Sequence, residues 1–407
     1  MSKSRKTKGT DDQQEKKSEY SGKHLVLRII AVVVFLFIGI GSITYGIVKL
    51  VSGDKGWTTI AAGRILDNYY DGEIFLEYNV KNTATRNRLQ ALYKSALSRV
   101  APLFDVYDGH EGINNIYYIN RHINEQIVVD ELLYSAFERI NENNFRTVFT
   151  APLFEEYSGV FSADSDSEAE DYDPRKNVYV KERADKIAQY AMDKNSVDLR
   201  LLGNNTVMLY VSEEYRKYFE EIGGEAYIDL WLVKNAFIVD YCADVITGNG
   251  YTGGRISSRD GYVRNFDSGS EYKYSIVDLS NGKFIMSGNM YYNGAISAIT
   301  MRSFPIKDED YTRYFVYSDG QIRTEYLDPQ TCLDMSFAPY LTVYSYSKKC
   351  ADIAFLALDS FISADGKLGQ IKAENGIYYI YSSEQKVYYS EKGVSIEGYS
   401  FDPIYQE

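Results

Sequence analysis

The sequence predicts an α+β protein in which a mixed-sheet domain of two lobes follows a single membrane-spanning helix. Three observations support this prediction: one uncharged apolar run near the N-terminus, several segments with helical apolar spacing, and alternating segments typical of strands between them. The chain has 407 residues, 45% of them hydrophobic, which is enough apolar material for a packed domain. Its seven prolines and 15% aromatic content are not the composition of a disordered protein.

The first element is the apolar run from Ile29 to Val48, which contains no charged residue. Twenty helical residues at about 1.5 Å each span about 30 Å of hydrocarbon. Residues 1–28 carry eight basic and four acidic side chains. The positive-inside rule therefore predicts a cell-membrane protein with a disordered cytoplasmic tail, a single-pass anchor at 29–48 and an extracellular domain at 49–407. A cleaved signal peptide is the alternative, although no small-residue cleavage site follows the run.

The outer domain alternates helices and strands in sequence order. Helical spacing is found over residues 83–100, 128–140 with Asp130 near its N-terminus, 178–192, 236–248 and 347–361. Strands are predicted over 75–80 and over 196–211, where Gly203 and Asn204 form the turn of a hairpin. A short strand is predicted directly before the helix at 236–248, and further strands lie on both sides of Asn281 and Gly282 and over 377–396.

An acidic, low-complexity stretch lies between Ser162 and Asp173. Its beginning resembles a calcium-binding loop, but Ala169 stands where such a loop needs glycine and Arg175 where it needs glutamate. We therefore interpret residues 162–177 as a solvated surface loop and a candidate hinge between the lobes.

Charge and composition exclude several classes of function. The formal net charge of −13 argues against a nucleic-acid-binding protein, which needs a basic surface. Three cysteines and three histidines, in no ligand spacing, argue against a zinc site or a disulfide framework. The glycines at 248, 250 and 253 follow a helix and not a strand, which argues against a dinucleotide-binding turn.

Four segments of the outer domain carry the functional signal. The first begins at Leu103 and Phe104, continues at Ile119 and Asn120, and ends with VVDELLYSAFERI; the others are YIDLWLVKNAFIVDY, YLDPQTC and KKCADIAFLAL. In this order they resemble the FAD:protein FMN transferase family, also called the thiamine-biosynthesis lipoprotein family. The resemblance covers nearly the whole outer domain.

The resemblance implies an activity and the residues that support it. Members of the family bind FAD with Mg²⁺, cut its pyrophosphate and attach FMN to a Thr or Ser of an extracytoplasmic acceptor protein. By position, Asp352 is the implied metal ligand, and the catalytic residue is left open. The implied cofactor-binding residues are Asp229, Lys234, Asp240, Asp328 and Thr331.

Several family positions hold different residues in this chain. Two glycines are replaced by Trp231 and Leu232, the lysine by Asn235, the histidine by Thr324 or Glu325, the glycine after Thr331 by Cys332, and the metal-binding threonine by Leu356. Two other functions therefore stay open beside FMN transfer. One is a non-catalytic module that binds a flavin or a partner, and the other is a structural or interaction protein of the cell envelope.

Overall fold

A computed structural model of the protein describes residues 56–63 and 73–406. The predicted cytoplasmic tail and the predicted membrane span at 29–48 lie outside these residues. Among the residues that are described, no helix is both long enough and apolar enough to cross a bilayer.

The helices lie mainly in the first two thirds of the domain. They are α1 (Thr83–Val100), α2 (Ile116–Arg121), α3 (Glu131–Glu142), α4 (Ala151–Tyr157), α5 (Gly159–Ser162), α6 (Asp166–Tyr172), α7 (Val178–Met192), α8 (Glu213–Ile222), α9 (Lys234–Gly248) and α10 (Cys350–Phe361). Short 3₁₀ helices occur at Ala101–Phe104, Arg146–Thr150, Asp308–Thr312, Leu368–Gln370 and Ala373–Asn375.

The strands form one large mixed sheet and several small ones. The large sheet has the order β1 (Trp57–Ile60), β2 (Ile74–Asn79), β6 (Gly254–Ser258), β7 (Tyr262–Asn265), β10 (Ile296–Arg302), β15 (Tyr340–Ser345), β16 (Tyr378–Ser383), β17 (Lys386–Tyr389) and β19 (Ile404–Tyr405). Neighbours from β2 to β17 are antiparallel, whereas β17 and β19 are parallel, so the sheet is mixed as predicted.

The small sheets contain the remaining strands. Three-stranded sheets have the orders β3 (Ile127–Val128), β5 (Thr206–Val211), β4 (Val197–Gly203), and β18 (Ser395–Gly398), β9 (Lys283–Asn293), β8 (Glu271–Ser280). Two-stranded sheets pair β11 (Tyr314–Val316) with β12 (Ile322–Thr324), and β13 (Leu327–Asp328) with β14 (Leu333–Asp334).

The large sheet is buried on both faces at its centre. Along β15, Leu341 and Val343 belong to the main hydrophobic core with the helices, while Tyr340 and Tyr344 belong to a second core with β8 and β9. Alternate residues of a strand point to opposite faces, so the domain has three layers: helices, the large sheet, and a small sheet. Contacts group residues Thr59–Glu407 into one unit. The division of this unit into two lobes stays a prediction.

The long helices were predicted with accurate limits. Residues 83–100 and 178–192 are α1 and α7, and Asp130 caps α3 by accepting a hydrogen bond from the Leu132 N–H at 2.9 Å.

Two local predictions were wrong. Residues 162–177 are not a loop, because they contain α6; most of them are exposed, but Asp173 is completely buried. The apolar segment 226–233 is not a strand; it is irregular and ends in a turn at residues 231–233, just before α9.

Candidate functional site

A cavity of about 700 Å³ lies where the end of α3, the turn between β13 and β14, and one face of α10 meet. Its volume falls in the range of small-molecule sites, about 300–1,000 Å³. Aromatic, amide, aliphatic and acidic side chains surround it, among them Phe145, Gln330, Phe355, Leu356, Asp359 and Asp365.

The aromatic wall of this cavity is built by the chain reversal after α3. Asn144 adopts a φ of 47°, in the left-handed region that asparagine tolerates better than most residues. The reversal brings Phe145 onto Phe355 of α10, with ring centroids 5.3 Å apart and ring planes at 73°. Phe145 is 8% exposed and Phe355 is 3% exposed, so the pair forms a buried apolar wall of the cavity.

The opposite wall is the turn that contains Asp328. Its carboxylate accepts hydrogen bonds from the Gln330 N–H at 3.1 Å and from the Thr331 hydroxyl at 2.8 Å. The Cys332 N–H donates to the Asp328 carbonyl at 2.7 Å, and Cys332 has a φ of 51°. A left-handed residue at this position explains the glycine of the family motif. Asp328 thus lines the cavity, whereas Thr331 closes the turn.

The charged groups of the cavity are mostly acidic. Asp328, Asp359 and Asp365 face two basic residues, Arg146 and Lys367. Arg146 donates to two backbone carbonyls at 2.7 Å, and burial lowers the pKa of its guanidinium. Lys367 pairs with Asp359 at 2.9 Å. The cavity therefore favours an uncharged polar ring over a polyanion.

Asp352, the predicted metal ligand, is held by protein groups. Its Oδ1 accepts a hydrogen bond from Arg139 Nη2 at 2.6 Å, and its Oδ2 accepts one from the Lys349 N–H at 3.0 Å. One turn further along α10, Leu356 offers no oxygen. In the described part of the chain, no group of three or more His, Cys, Asp and Glu side chains could hold a metal ion. These residues do not fit a Mg²⁺ ion, which needs several oxygen ligands.

Asp240 is also occupied. Its carboxylate accepts hydrogen bonds from the N–H groups of Cys350 and Ala351, at 3.0 and 2.8 Å, and from Arg264 Nη1 at 2.9 Å. Burial raises the pKa of Asp240, and these three donors oppose the rise. Asp240 therefore joins α9 to the N-terminus of α10, a structural role.

Asp229 and Lys234 lie together at the start of α9. Asp229 lines a small pocket with Tyr107 and Glu155, and its buried Oδ1 has no hydrogen-bond partner among the described residues. Burial raises the pKa of Asp229, while the Lys234 ammonium acts to lower it. Trp231, two residues after Asp229, stacks on Phe154 with ring centroids 4.2 Å apart.

The predicted site residues thus form three groups and do not share one cavity. Asp328 and Thr331 lie at the large cavity, Asp229 and Lys234 at the pocket beside Tyr107, and Asp240 and Asp352 line a groove of about 190 Å³. Sequence reasoning missed Arg139, since an arginine on an amphipathic helix gives no sign of the carboxylate it will contact.

A second set of buried polar groups was also missed. Two of its members are Asn235, at the lysine position of the family motif, and Glu325, one of the two candidates for the histidine position. Asn235 donates to Asp260 at 2.9 Å, and Glu325 forms an ion pair with Arg313. One sequence feature could have indicated this cluster: the charged residues Arg259 and Asp260 come directly before Gly261 in a turn.

Comparison with solved structures identifies the fold. The ApbE protein of Thermotoga maritima superposes with a TM-score of 0.54 at 18% identity, covering 82% of this chain and 96% of that one. Flavin transferase ApbE from Vibrio cholerae gives 0.51 at 16% identity, with 80% and 93% covered. The apo form of the Pseudomonas stutzeri flavinyl transferase ApbE gives 0.52 at 11% identity, with 81% and 92% covered.

The predicted resemblance in fold is therefore confirmed: this chain has the α+β fold of the ApbE flavin transferases. No protein-family model matches the sequence, and no curated protein matches it significantly.

Proposed function

We propose that this protein binds the ring system of a flavin in the 700 Å³ cavity and does not catalyse Mg²⁺-dependent FMN transfer. The observation that carries the proposal is the position of the cavity, between the Asp328 turn and α10, in a flavin-transferase fold. The buried pair of Phe145 and Phe355 gives the cavity an apolar wall, and the amides of Asn143 and Gln330 offer hydrogen bonds to the polar edge of the isoalloxazine.

The charges of the cavity define which part of FAD it recognises. Three carboxylates outnumber the two basic groups of the cavity, and Lys367 is paired with one of them, so the net charge of the cavity disfavours a pyrophosphate. We therefore expect riboflavin and FAD to bind with dissociation constants within about threefold of each other. Titration followed by quenching of flavin fluorescence, without divalent cations, measures both constants.

A variant that fills the cavity tests the location. Gln330→Trp places a large ring at the exposed edge of the cavity and should weaken riboflavin binding by at least about tenfold. Lys217→Trp, on an exposed position of α8, is the matched control and should leave binding unchanged. If neither variant changes riboflavin binding, or if the wild-type protein binds no flavin, the proposal is wrong.

FMN transfer itself is the second candidate function, favoured by the fold and by the retention of Asp328, Thr331 and Asp352. Its substrate would be FAD, its partner an extracytoplasmic acceptor protein, and its cofactor Mg²⁺. Incubation with FAD, MgCl₂ and candidate acceptor proteins distinguishes the candidates, since transfer releases AMP and leaves a covalent flavin. AMP release that depends on Asp352 would establish transfer in place of simple binding.

We also propose that residues 29–48 anchor the protein in the cell membrane with its N-terminus in the cytoplasm. The uncharged run and the basic tail before it support this placement. Protease added to intact spheroplasts should digest the domain at 49–407 and leave an N-terminal tag protected. Recovery of the full chain in the soluble fraction would contradict it.

A further inference from the structure

A small basic pocket lies apart from the flavin cavity and shares no lining residue with it. Its volume is about 90 Å³, room for a few water molecules or one tetrahedral ion but not for a nucleotide. Three separate parts of the chain supply its charged lining: the β6–β7 turn gives Arg259 and Asp260, the end of β10 gives Arg302, and the segment before β11 gives Arg313.

The backbone of the β6–β7 turn packs closely against Thr300 of β10. Gly261 has a φ of 101°, and a Cβ atom there would lie 2.1 Å from the carbonyl oxygen of Thr300. The Thr300 N–H also donates to the Gly261 carbonyl at 3.0 Å. The backbone of the turn that carries Arg259 and Asp260 is therefore held close to β10.

Each of the three arginines has N–H groups beyond those that contact other described residues. Arg302 donates to Asp310 at 3.1 Å, and Arg313 pairs with Glu325 and donates to the Arg259 carbonyl at 3.5 Å. The buried Arg259 Nε has no hydrogen-bond partner among the described residues, and its nearest carboxylate oxygen, on Glu73, is 4.0 Å away. Since a guanidinium has five N–H donors, several are available to an anion in the pocket.

Asp260 adds an acceptor in the same place. Its Oδ2 accepts the hydrogen bond from Asn235, while its buried Oδ1 accepts none from the described residues. A buried carboxylate oxygen without a donor is costly, so the partner it lacks carries an O–H or N–H group. The pocket thus combines arginine donors for an oxyanion with one acceptor for a proton on that oxyanion.

We propose that this pocket binds a protonated phosphate, either free hydrogen phosphate or the phosphoryl group of a phosphomonoester. Arg259, Arg302 and Arg313 hold its unprotonated oxygens, and Asp260 accepts the hydrogen bond from its P–O–H group. Sulfate has the same shape but no proton at neutral pH, so one of its oxygens meets the Asp260 carboxylate without a hydrogen between them. The site therefore selects phosphate over sulfate.

The test compares the two anions on the whole protein in the absence of flavin. Isothermal titration calorimetry with sodium phosphate and sodium sulfate, at equal ionic strength, should show binding of phosphate at least about tenfold tighter than that of sulfate. Equal affinity for the two anions, or no heat from phosphate at millimolar concentration, would overturn the proposal. Because no flavin is present, failure here leaves the proposed flavin binding unaffected, and failure of flavin binding leaves this result unaffected.

Two variants identify the roles of the residues. Arg259→Gln should weaken phosphate binding about tenfold, since it removes a charged donor. Asp260→Asn should reduce the preference for phosphate over sulfate, because an amide can donate to a sulfate oxygen. Arg216→Gln on the exposed surface of α8 is the control. Circular dichroism checks that each variant is folded. A preference for phosphate that survives Asp260→Asn unchanged would contradict the role of Asp260.

The source of the phosphoryl group is decided by competition. If FMN displaces phosphate and riboflavin does not, the pocket takes a phosphomonoester; if neither displaces it, the ligand is free phosphate. Displacement by riboflavin, which has no phosphate, would place the ring in this pocket and contradict the proposal.

Discussion

At the scale of single residues, buried carboxylates in this domain differ in the direction of their pKa shifts. Asp229 is held in a pocket with one oxygen lacking a partner in the described part of the chain, and burial raises its pKa above 3.8. For Asp310, burial acts in the same direction, but the Ile306 N–H and Arg302 outweigh it and lower the pKa. The two residues should therefore affect stability with opposite dependence on pH.

The first prediction concerns Asp229→Asn and Asp310→Asn, measured by urea unfolding between pH 3 and 7. A raised pKa means that the folded state binds the proton more tightly, so Asp229 costs stability as pH rises above 3.8. Asp229→Asn should gain stability relative to the wild type as pH rises, on the order of 1 kcal/mol at pH 7. Asp310→Asn should lose stability at pH 7, and the loss should shrink as pH falls below 3.8. The same sign for both variants at pH 7 would contradict this.

The second prediction concerns the ion pair between Arg139 and Asp352. In the wild-type protein, MgCl₂ should not change the melting temperature relative to NaCl of equal ionic strength, because Arg139 holds Asp352 and Leu356 offers no oxygen. The double variant Arg139→Gln, Leu356→Thr frees Asp352 and adds one hydroxyl oxygen, which is still fewer oxygens than Mg²⁺ needs, so MgCl₂ should leave its melting temperature unchanged as well.

Arg139→Gln alone is the control for this experiment. Both partners are partly exposed, so removing the pair should cost no more than about 1 kcal/mol and give no response to Mg²⁺. Stabilisation of the wild type by Mg²⁺ that disappears in Asp352→Asn would show that the carboxylate binds the ion despite Arg139.

At the scale of elements, the acidic segment that we predicted as a loop is held to the domain by several long-range contacts, of which those of Asp173 are the most buried. Asp173 is completely buried and accepts hydrogen bonds from Arg323 Nε at 2.7 Å and from the Tyr317 hydroxyl at 2.9 Å. Charge density alone indicated a solvated segment, because a sequence does not show which single carboxylate will meet a buried arginine 150 positions away.

The third prediction follows from that contact. Asp173→Ala should destabilise the domain by about 3–5 kcal/mol, since it leaves the Arg323 guanidinium buried without its partner. Asp171→Ala changes an exposed carboxylate of the same segment and should shift the free energy of unfolding by no more than about 0.5 kcal/mol. Similar small effects of both variants would mean that α6 and its neighbours unfold without the rest of the domain.

Elements were predictable where a local pattern determined them. The limits of α1 and α7 follow from apolar spacing and from the asparagine caps Asn82 and Asn177, and the β8–β9 turn follows from Asn281 and Gly282, with φ of 50° and 72°. The strand predicted within 226–233 is absent because a buried irregular segment has the same run of apolar residues as a buried strand.

At the scale of the whole molecule, four short segments in the right order were enough to predict the fold, but not the arrangement of the site. Asp328 lines the large cavity as a site residue could, whereas Asp240 and Asp352 bind helix N-termini and arginines. A motif gives the backbone position of a residue; what that residue contacts depends on substitutions elsewhere, such as Arg139.

The fourth prediction concerns the independence of the domain from the N-terminal segments. Contacts group residues Thr59–Glu407 into one unit with its own cores, so a chain that begins at Lys49 should fold without a membrane. It should unfold in one cooperative transition in urea and bind riboflavin as tightly as the full-length protein in detergent. Removal of the basic tail, which carries +4 of the total −13, leaves the domain with a larger negative charge. This charge should keep the shortened chain in solution. A shortened chain that aggregates or shows no unfolding transition would mean that residues before Lys49 contribute to the core. Weaker riboflavin binding by a well-folded shortened chain would instead place part of the site outside the described residues.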